Sequence, residues 1–450
     1  MSFRITVIGT GYLGATHAAC MAELGFDVLG VDVDPDKVAA LAAAKLPFYE
    51  PGLEEMVRRH VGTGRLGFTT SLRQAAEFGD VHFLCVGTPQ RPDSSVADLR
   101  YLHAAIDGLV PDLRRDCVIV GKSTVPVGTA DGLRARIAEL SRPEPIVDLA
   151  WNPEFLQEGT AVRDTLRPDR LVFGVDADRP RTVLRGIYAK LIEDGVPVVE
   201  TDIPTAELIK SSANAFLAVK LSFINAVAEL CDKAGADIAD LAAALRLDPR
   251  IGDRYLHPGI GFGGGCLPKD LRALRVRADE LGAGRALRFL LDVDEINGRA
   301  RQRLVELARE ECDGSFVGRR VCVLGAAFKP HTDDIRDSPA LAVAAALWRQ
   351  GCQVSVFDPK AGDNARRQVP ELDYGLSAAE AAAGAHLVLH LTDWPEFAEL
   401  DPAELGDLVA ERRVIDGRNR LDADRWCRAG WRFRAPGRRP LAPLAVPEPA

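Results

Sequence analysis

The sequence lacks the cysteine pairs that mark disulfide-rich and zinc-binding proteins. Its nine cysteines are scattered along the chain, and no two of them form a Cys-x-x-Cys motif. An odd number of unpaired positions indicates neither a disulfide framework nor a zinc site, so we expect no metal. A reducing cytoplasm is the compartment that best suits such thiols.

Long apolar runs and an excess of positive charge are also missing. No uninterrupted apolar run reaches the ~20 residues that span a bilayer, and the N-terminus enters a strand pattern (FRITVIG) without a signal peptide. The chain has 56 Lys and Arg against 65 Asp and Glu, a net charge of −9. This balance argues against a general nucleic-acid surface. We therefore expect a cytoplasmic protein with neither membrane nor nucleic acid as a partner.

What is present indicates a globular chain with two or three domains. Its 450 residues are 47% hydrophobic and 27% charged, which is typical of proteins with sizeable cores. The N-terminal third begins with a strand, a glycine-rich turn, a helix and a second strand that ends at Asp32. The turn is GTGYLG, comprising Gly9, Thr10, Gly11, Tyr12, Leu13 and Gly14.

This pattern is typical of a dinucleotide-binding unit. The glycines permit a tight turn, and the helix N-terminus receives a pyrophosphate. An acid about 20 residues further on would bind the adenosine ribose hydroxyls and repel a 2′-phosphate. Asp32 stands at that distance, so the sequence predicts NAD rather than NADP.

Two later strands end in hydroxyl residues, at 81–89 with Thr88 and at 117–129 with Thr124. Ligands bind at the carboxyl ends of parallel strands, so these side chains are placed to reach a cofactor, although ordinary helix caps use the same residues. The next segment, WNPEFLQEG (151–159), carries Glu154 and Glu158. These carboxylates could share a helical face, flank a loop or form a solvated turn.

The middle of the chain carries the longest helical pattern, from Ala206 to Ala234. Apolar residues surround most of it, which predicts burial against more than one partner, including a second subunit. Lys210 and Asn214 lie four residues apart on one face. A buried lysine tends toward a lowered pKa, whereas a lysine at a helix end can extend to solvent.

A glycine-rich stretch at 250–270, RIGDRYLHPGIGFGGGCLPKD, leads into Cys266. Glycines allow backbone to approach a ligand closely, and Pro268 suits the first turn of a helix. The thiol would then stand at a helix N-terminus beside Lys269, a position that favours thiolate. The stretch predicts either a nucleophilic cysteine or a turn with an incidental one.

The C-terminal third repeats the strand–helix–strand pattern of the N-terminus without GxGxxG. Its first strand is followed by Ala-Ala-Phe-Lys, which places Lys329 where a phosphate could sit. With Arg336 and Arg418, this lysine forms a plausible cationic set for a diphosphate or carboxylate. The tail from Ala435 is rich in Pro and Arg and is predicted to be disordered.

Several long motifs occur together, in this order: GTGYLG, VGTP, STVPVG, NPEFLQEG, ELIKSSANAF, PGIGFGGGCLPKD, AFKPHTDDIRDSP and VIDGRN. From about residue 3 to 430 the chain resembles the UDP-glucose/GDP-mannose dehydrogenase family. The resemblance implies an α/β fold with two Rossmann-like doubly wound domains joined by a central helical dimerisation region. The implied divisions are 1–202 for NAD, 203–300 for the helical centre with the cysteine, 301–434 for the UDP-sugar and 435–450 for a disordered tail.

The resemblance also implies the reaction: NAD-dependent four-electron oxidation of UDP-glucose to UDP-glucuronate. The same chemistry on UDP-N-acetylmannosamine or GDP-mannose is the alternative within the family. Outside it, a two-electron hydroxy-acid dehydrogenase and a non-enzymatic sensor of UDP-sugar or NAD remain open. The family implies a homodimer or a higher homo-oligomer, in which Arg250 reaches the sugar site of the neighbouring subunit.

Site residues carried over from the family fall into three groups. In the catalytic group, Cys266 is the nucleophile, and Lys210 and Asn214 stabilise the oxyanion. Asp270 and Thr124 hold the water, and Glu154 is the base. Lys210 could alternatively act as the base of the first step. The NAD group is Gly9, Thr10, Gly11, Tyr12, Leu13, Gly14, Asp32, Lys37, Thr88, Thr124, Glu158 and Arg336. The substrate group is Glu154, Phe155, Leu156, Glu158, Lys210, Asn214, Arg250, Tyr255, Gly263, Phe328, Lys329 and Arg418.

The sequence departs from the family pattern on both sides of the cysteine. Gly265 stands where the family often has Ser, which would loosen the turn. Leu267 stands where it often has Phe, an apolar exchange of little expected effect. Neither departure removes a group that carries the chemistry.

Overall fold

The computed structural model describes residues 3–92 and 94–443. The chain divides into two compact units, Met1–Ala213 with Arg272–Arg285, and Asn214–Leu271 with Ala286–Ala450. We call them the first and the second unit. Each contains a sheet of mostly or entirely parallel strands covered by helices, which confirms the predicted α/β class with two Rossmann-like domains.

The first unit is built on an eight-stranded sheet. Its strands, in chain order, are β1 (Arg4–Ile8), β2 (Asp27–Val31), β3 (Leu66–Thr69), β4 (Val81–Leu84), β5 (Cys117–Gly121), β6 (Val147–Trp151), β7 (Leu171–Gly174) and β8 (Val198–Thr201). Their order is β3-β2-β1-β4-β5-β6-β7-β8, and all neighbours are parallel except β6 and β7. The inner strands are buried runs of apolar residues, as expected when helices cover both faces of a parallel sheet.

The helices of the first unit connect these strands. They are α1 (Tyr12–Glu23), α2 (Pro35–Ala42), α3 (Leu53–Gly62), α4 (Leu72–Phe78), α5 (Arg100–Leu109), α6 (Thr129–Leu140), α7 (Ala161–Leu166), α8 (Asp178–Ile187) and α9 (Ala189–Glu193), with a 3₁₀ turn at Val110–Asp112. Several begin at side-chain caps, for example α2, where the Asp34 carboxylate accepts from the backbone N–H groups of Asp36 and Lys37.

Four helices follow in the middle of the chain: α10 (Ile203–Ala234), α11 (Ile238–Arg246), α12 (Leu267–Glu280) and α13 (Phe289–Glu311). Within α10, 18 residues have a mean hydropathy of 1.4, so its length and composition would allow it to cross a membrane. Core helices of globular proteins have the same properties, and 44% of that stretch is buried. The exposed residues Phe216, Phe223 and Leu230 recur at intervals of seven and form one apolar stripe.

The second unit contains a six-stranded, fully parallel sheet. Its strands are β9 (Arg320–Leu324), β10 (Gln353–Phe357), β11 (Asp373–Tyr374), β12 (Leu387–His390), β13 (Arg413–Asp416) and β14 (Arg432–Arg434), in the order β11-β10-β9-β12-β13-β14. Its helices are α14 (Pro339–Trp348), α15 (Gly362–Gln368), α16 (Ala378–Ala382), α17 (Pro395–Glu399), α18 (Pro402–Gly406) and α19 (Ala423–Arg428).

The beginning of the C-terminal tail differs from the predicted disorder. Ala435 is buried, and the backbone N–H of Gly437 donates to the Asp232 carboxylate at 2.9 Å. The carbonyl of Gly437 accepts from the backbone N–H of Ile238 at 3.0 Å. These partners lie on and beside distant helices, so a Pro- and Arg-rich composition does not reveal them. Residues 444–450 of the predicted tail lie outside the described residues.

Candidate active site

The loop between β1 and α1 needs its glycines for steric reasons. Gly9 has φ +90°, and a Cβ on Gly14 would lie only 1.7 Å from the Gly9 carbonyl oxygen. Gly11 is the N-cap of α1, where no side chain caps the helix, and a Cβ there would meet no described atom within 4 Å. The first turn of α1 therefore presents open backbone N–H groups, as an anion-binding helix N-terminus requires.

Asp32, at the end of β2, holds this loop from the side. Its Oδ2 accepts from the backbone N–H of Thr10 at 2.9 Å, and Lys37 Nζ lies 3.1 Å from both carboxylate oxygens. Burial alone would raise the pKa of Asp32, but these hydrogen bonds and that from the Asp34 N–H keep it below its usual value. An ionised carboxylate at this position fits the adenosine ribose of NAD.

A second acid, Glu50, ties the glycine loop to a later turn and was missed by the sequence reasoning. The Tyr12 hydroxyl donates to its Oε2, and the backbone N–H groups of Gly159 and Ala161 donate to its two oxygens, both at 2.7 Å. Burial raises the pKa of Glu50 and, together with Glu50 itself, that of Tyr12. The turn that carries Glu158 is thus fixed to the β1–α1 loop. The only local signal near Glu50 in the sequence is the Pro-Gly turn that follows it.

The hydroxyl residues after β4 and β5 link those two loops. Thr88 Oγ1 donates to the carbonyl of Thr124 at 2.7 Å, and Ser123 Oγ donates to the carbonyl of Val86 at 2.7 Å. None of these residues caps a helix, because α5 and α6 begin later in the chain. The carboxyl ends of the two strands are therefore held together at the edge where ligands bind.

Glu154 and Lys210 form a buried ion pair in the first unit. Lys210 Nζ lies 3.0 Å from Glu154 Oε1, with side-chain exposures of 6% and 11%. Glu154 Oε2 accepts from the backbone N–H of Leu156 at 2.7 Å, and the Phe155 ring lies 5.5 Å from Lys210 Nζ. The lysine does not extend to solvent, and Glu154 is not part of a solvated turn.

Cys266 follows a glycine run that only glycine can form. A Cβ on Gly263 would lie 2.2 Å from the carbonyl oxygen of Asp337, and Gly264 has φ +82°. Cys266 stands directly before α12, and its carbonyl accepts from the Asp270 N–H at 2.9 Å, which closes the first helical turn. The thiol is thus at a helix N-terminus, where the helix dipole stabilises a thiolate.

Cys266 differs from the remaining cysteines in exposure. All nine lie within the described residues, and Cys266 alone is exposed. Burial raises the pKa of the other eight, Cys20, Cys85, Cys117, Cys231, Cys312, Cys322, Cys352 and Cys427. Since the thiolate is the nucleophile, burial disfavours the reactive form of those eight thiols.

Asp270 connects α12 with α10 in the second unit. Asn214 Nδ2 donates to Asp270 Oδ2 at 2.6 Å, and Lys269 Nζ donates to Asp270 Oδ1 at 2.6 Å. Asn214 and Asp270 are both buried. The carboxylate therefore fixes the amide of Asn214, which lies one helical turn after Lys210 on α10.

The predicted cationic set is only partly brought together in the second unit. Arg418 donates to three carbonyls: Nε to Leu391 at 2.6 Å, Nη1 to Gly261 at 3.3 Å and Nη2 to Phe328 at 3.2 Å. It joins the glycine run to the loop after β9, which carries Phe328 and Lys329. Lys329 Nζ lies 5.6 Å from the Phe328 ring centroid.

Three other predicted residues are positioned differently. Arg336, on the loop after β9, pairs with Asp334 at 2.6 Å, and its guanidinium fills the space beside Gly265. Arg250 pairs with Asp248 at 2.6 Å, and its side chain is 88% exposed. Tyr255 has a left-handed backbone with φ +62°. Within residues 3–92 and 94–443, no cluster of three or more His, Cys, Asp and Glu could hold a metal ion.

Comparison with known proteins covers almost the whole chain. Three domains of one family match: the NAD binding domain of the UDP-glucose/GDP-mannose dehydrogenase family at residues 3–192, its central domain at 204–299 and its UDP binding domain at 322–423. The match to the NAD binding domain confirms the predicted cofactor.

Individual relatives agree with the family match. The chain is 42% identical to a UDP-glucose 6-dehydrogenase of Rhizobium meliloti over 97% of this chain and 99% of the relative. It is 44% identical to one of Haloferax volcanii over 92% and 96%. A solved UDP-glucose dehydrogenase from Pyrobaculum islandicum superposes with a TM-score of 0.87 at 37% identity, covering 94% and 96% of the two chains. The chain therefore belongs to the UDP-glucose/GDP-mannose dehydrogenase family.

Proposed function

We propose that this chain oxidises the C6 hydroxyl of UDP-glucose to a carboxylate with NAD, a four-electron reaction. The exposed thiol of Cys266 at the N-terminus of α12, among eight buried thiols, is the observation that carries this proposal. A two-electron hydroxy-acid dehydrogenase needs no such thiol. Relatives named for UDP-glucose oxidation, at up to 44% identity over nearly the full length, support the same substrate.

The residues present fit NAD. The open N-terminus of α1 would hold the pyrophosphate and Asp32 the adenosine ribose, with Lys37, Thr88, Thr124, Glu158 and Arg336 as further contacts. Bound NAD supplies a hydride acceptor for each of the two oxidations at C6.

The thiol makes the second oxidation possible. The first oxidation leaves an aldehyde, and the thiolate of Cys266 adds to its carbonyl carbon, forming a C–S bond and a thiohemiacetal. Oxidation of the thiohemiacetal gives a thioester. Water then adds to the thioester carbon, the C–S bond breaks, the thiolate leaves and the carboxylic acid loses its proton. One UDP-glucose, two NAD⁺ and one water become one UDP-glucuronate, two NADH and three protons.

Buried polar groups stabilise the charges of these steps. We assign Lys210 and Asn214 to the oxyanion at C6, because an ammonium and a fixed amide donate to developing negative charge. Asp270, which fixes Asn214, and Thr124 hold the water. Glu154 takes the proton of that water during thioester hydrolysis. Lys210 as the base of the first step is the alternative assignment.

The residues that bind the UDP-sugar are those that the family resemblance implies. We assign Phe155, Leu156, Tyr255 and Gly263 to the sugar side, and Phe328, Lys329 and Arg418 to the nucleotide. These roles follow the division 1–202, 203–300 and 301–434. The same chemistry on UDP-N-acetylmannosamine or GDP-mannose differs only in contacts to the hexose and base.

We further propose that the chain acts as a homodimer or higher homo-oligomer in the cytoplasm. The stripe of Phe216, Phe223 and Leu230 exposes aromatic and aliphatic side chains, which favour association with a second apolar surface. Arg250 is exposed and could serve a neighbouring subunit's sugar site. Phe223→Glu should shift the species seen by analytical ultracentrifugation toward monomer; an unchanged mass would contradict this interface.

Replacement of the thiol tests the reaction. Cys266→Ala should abolish UDP-glucuronate formation while NAD binding, measured by calorimetry, stays unchanged. The buried Cys352→Ala is the control for general loss of a thiol and should retain turnover. Full activity of Cys266→Ala would refute the covalent route.

A substrate panel tests the specificity. Turnover with UDP-glucose should yield two NADH per acid formed, and UDP-N-acetylmannosamine and GDP-mannose should react more slowly. One NADH per product would indicate a two-electron enzyme, and binding of both ligands without NADH would indicate a sensor.

A further inference from the structure

Lys122 is a buried amine with no role in the reaction described above. Lys122 directly follows β5 and is 7% exposed. No carboxylate of the described residues lies within ion-pair distance of its Nζ. Its Nζ donates to Asn152 Oδ1 at 2.9 Å and lies 3.4 Å from both the Asn152 carbonyl and the Tyr188 hydroxyl. Burying an amine without a paired carboxylate is expensive, so these contacts have to compensate for a large loss of solvation.

These contacts make Asn152 a fixed point of the sheet. Its backbone N–H donates to Gly121 at 2.8 Å, and its Nδ2 donates to Val172 at 2.9 Å. Its Oδ1 accepts from Lys122 and, at 2.7 Å, from the Tyr188 hydroxyl. Asn152 is therefore held by groups that lie in or follow two strands, β5 and β7, and by Tyr188 at the end of α8.

Asn152 lies two residues before Glu154. Only Pro153, whose ring restricts φ, separates the two. Asn152 thus positions the backbone from which the Glu154 side chain extends. The Glu154 carboxylate is held by Lys210 and the Leu156 N–H. We propose that Lys122 is a positioning residue that, through Asn152, orients the Glu154 carboxylate for thioester hydrolysis. This inference rests on the role assigned to Glu154 under the proposed function.

The charges around Lys122 are consistent with this role. Burial lowers its pKa to about 8; Cys85 and Glu154 oppose that shift, and Lys210 adds to it. His17, on α1, faces the same interior, and burial together with Lys122 holds the pKa of His17 well below its usual range. Glu154 thus lies in the field of two amines, Lys122 and Lys210.

A variant that separates hydrolysis from oxidation tests the proposal. Lys122→Met keeps the length of the side chain but removes the ammonium donor. It should retain a first burst of two NADH per site, lose about 10- to 100-fold in steady-state turnover, and accumulate a UDP-sugar thioester on Cys266 that is detectable by intact-protein mass spectrometry. A lesion that only loosens the fold would slow the burst as well.

Two other variants serve as references. Glu154→Gln should accumulate the same thioester, because it removes the base itself. Tyr188→Phe removes the other donor to Asn152 Oδ1 but keeps the ammonium, and it should show no adduct. If Lys122→Met does not fold, Lys122→Gln, which keeps an N–H donor, should fold and show a smaller accumulation of the same adduct.

The outcomes distinguish this inference from the proposed function. Adduct in Glu154→Gln but not in Lys122→Met or Lys122→Gln would overturn the role of Lys122 and leave the proposed function intact. Absence of adduct from all of these variants would overturn both the role of Glu154 in hydrolysis and the inference built on it. Equal accumulation in Tyr188→Phe would also overturn the inference, because the ammonium would then have no particular effect.

Discussion

The two sheets share the order of six parallel strands and differ in what they present to a ligand. Six strands of the first sheet run in the order β3-β2-β1-β4-β5-β6, and β11-β10-β9-β12-β13-β14 repeats that order. In both, a left-handed glycine follows the central strand, Gly9 with φ +90° and Gly325 with φ +114°. In both, an aspartate ends the neighbouring strand and accepts from backbone N–H groups of that loop, Asp32 in the first and Asp358 in the second.

The loops after these glycines make the difference. Residues 9–11 lead at once into α1, so a helix N-terminus meets the ligand edge of the first sheet. Residues 325–338 intervene before α14 and carry Phe328, Lys329 and Arg336 instead. Asp358 Oδ2 also accepts from the indole Nε1 of the buried Trp394 at 3.1 Å. The shared strand order therefore places an aspartate at the ligand-binding edge of each sheet. The length of the following loop and, in the second sheet, the Trp394 side chain determine whether that aspartate can bind a ribose.

The largest expected effect comes from closing the glycine loop of the first sheet. Gly14→Ala would place a Cβ 1.7 Å from the Gly9 oxygen, so α1 would have to move away from β1. Calorimetry should show at least about a 100-fold loss of NAD affinity, with UDP affinity unchanged. Gly132→Ala, where a Cβ meets no described atom within 4 Å, is the matched control. Normal NAD binding by Gly14→Ala would contradict the claim that the glycine loop of the first sheet, unlike the loop after β9, brings a helix N-terminus to the ligand.

A smaller effect is the pH dependence of the unfolding free energy, which should differ between a buried carboxylate of the first unit and one of the second. Burial raises the pKa of Glu207, in the first unit, to about 7, against the opposing backbone hydrogen bonds from Ala130 and Gly128. A raised folded-state pKa contributes stability that is present below the unfolded value of 4.5 and lost as the pH rises through 7. Relative to Glu207→Gln, the wild type should therefore lose about 2 kcal/mol of unfolding free energy between pH 4.5 and 8.

Asp416, in the second unit, should behave in the opposite sense. Burial alone would raise its pKa, but hydrogen bonds from His390 and the N–H groups of Leu421 and Arg418 bring it below its usual value. Its stabilisation is present above the unfolded pKa and is lost as the pH falls below about 4. Urea denaturation of the wild type, Glu207→Gln and Asp416→Asn, from below pH 4 up to pH 8, measures how each carboxylate changes the unfolding free energy with pH. The same direction of pH dependence for both carboxylates would contradict the prediction.

The smallest effect compares the two aspartates directly. Asp32→Asn should lower NAD affinity about 10-fold, because a charged hydrogen bond to a ribose hydroxyl is lost, and should narrow the preference for NAD over NADP. Asp358→Asn should leave NAD affinity unchanged and lower the free energy of unfolding by about 1–3 kcal/mol, since buried donors lose their acceptor. Binding titrations and urea denaturation measure the two effects. Equal loss of NAD affinity in both variants would show that the acids are not specialised.

Local patterns accounted for much of the fold and part of the site. The spacing from the glycine loop to Asp32 and the apolar period of α10 predicted elements that the structure contains, because strand and helix periods follow from backbone geometry. The sequence also placed Cys266 before a helix, through Pro268 and the preceding glycines. Glu50 and Lys122 escaped notice, because their partners, Gly159 and Asn152, are distant in the chain and nothing local marks the contacts.

The sequence by itself determined the order of the elements, the dinucleotide-type loop and the family resemblance carried by the long motifs, all of which depend on neighbouring residues. The tertiary structure alone decided which charges are buried and with what partners. It paired Glu154 with Lys210 and Asn214 with Asp270, left one thiol of nine exposed, and anchored residues 435–441 of the tail that composition predicted to be disordered. The physical reason is that burial and long-range hydrogen bonds depend on the packing of elements far apart in the chain, whereas periodicity and turn chemistry do not.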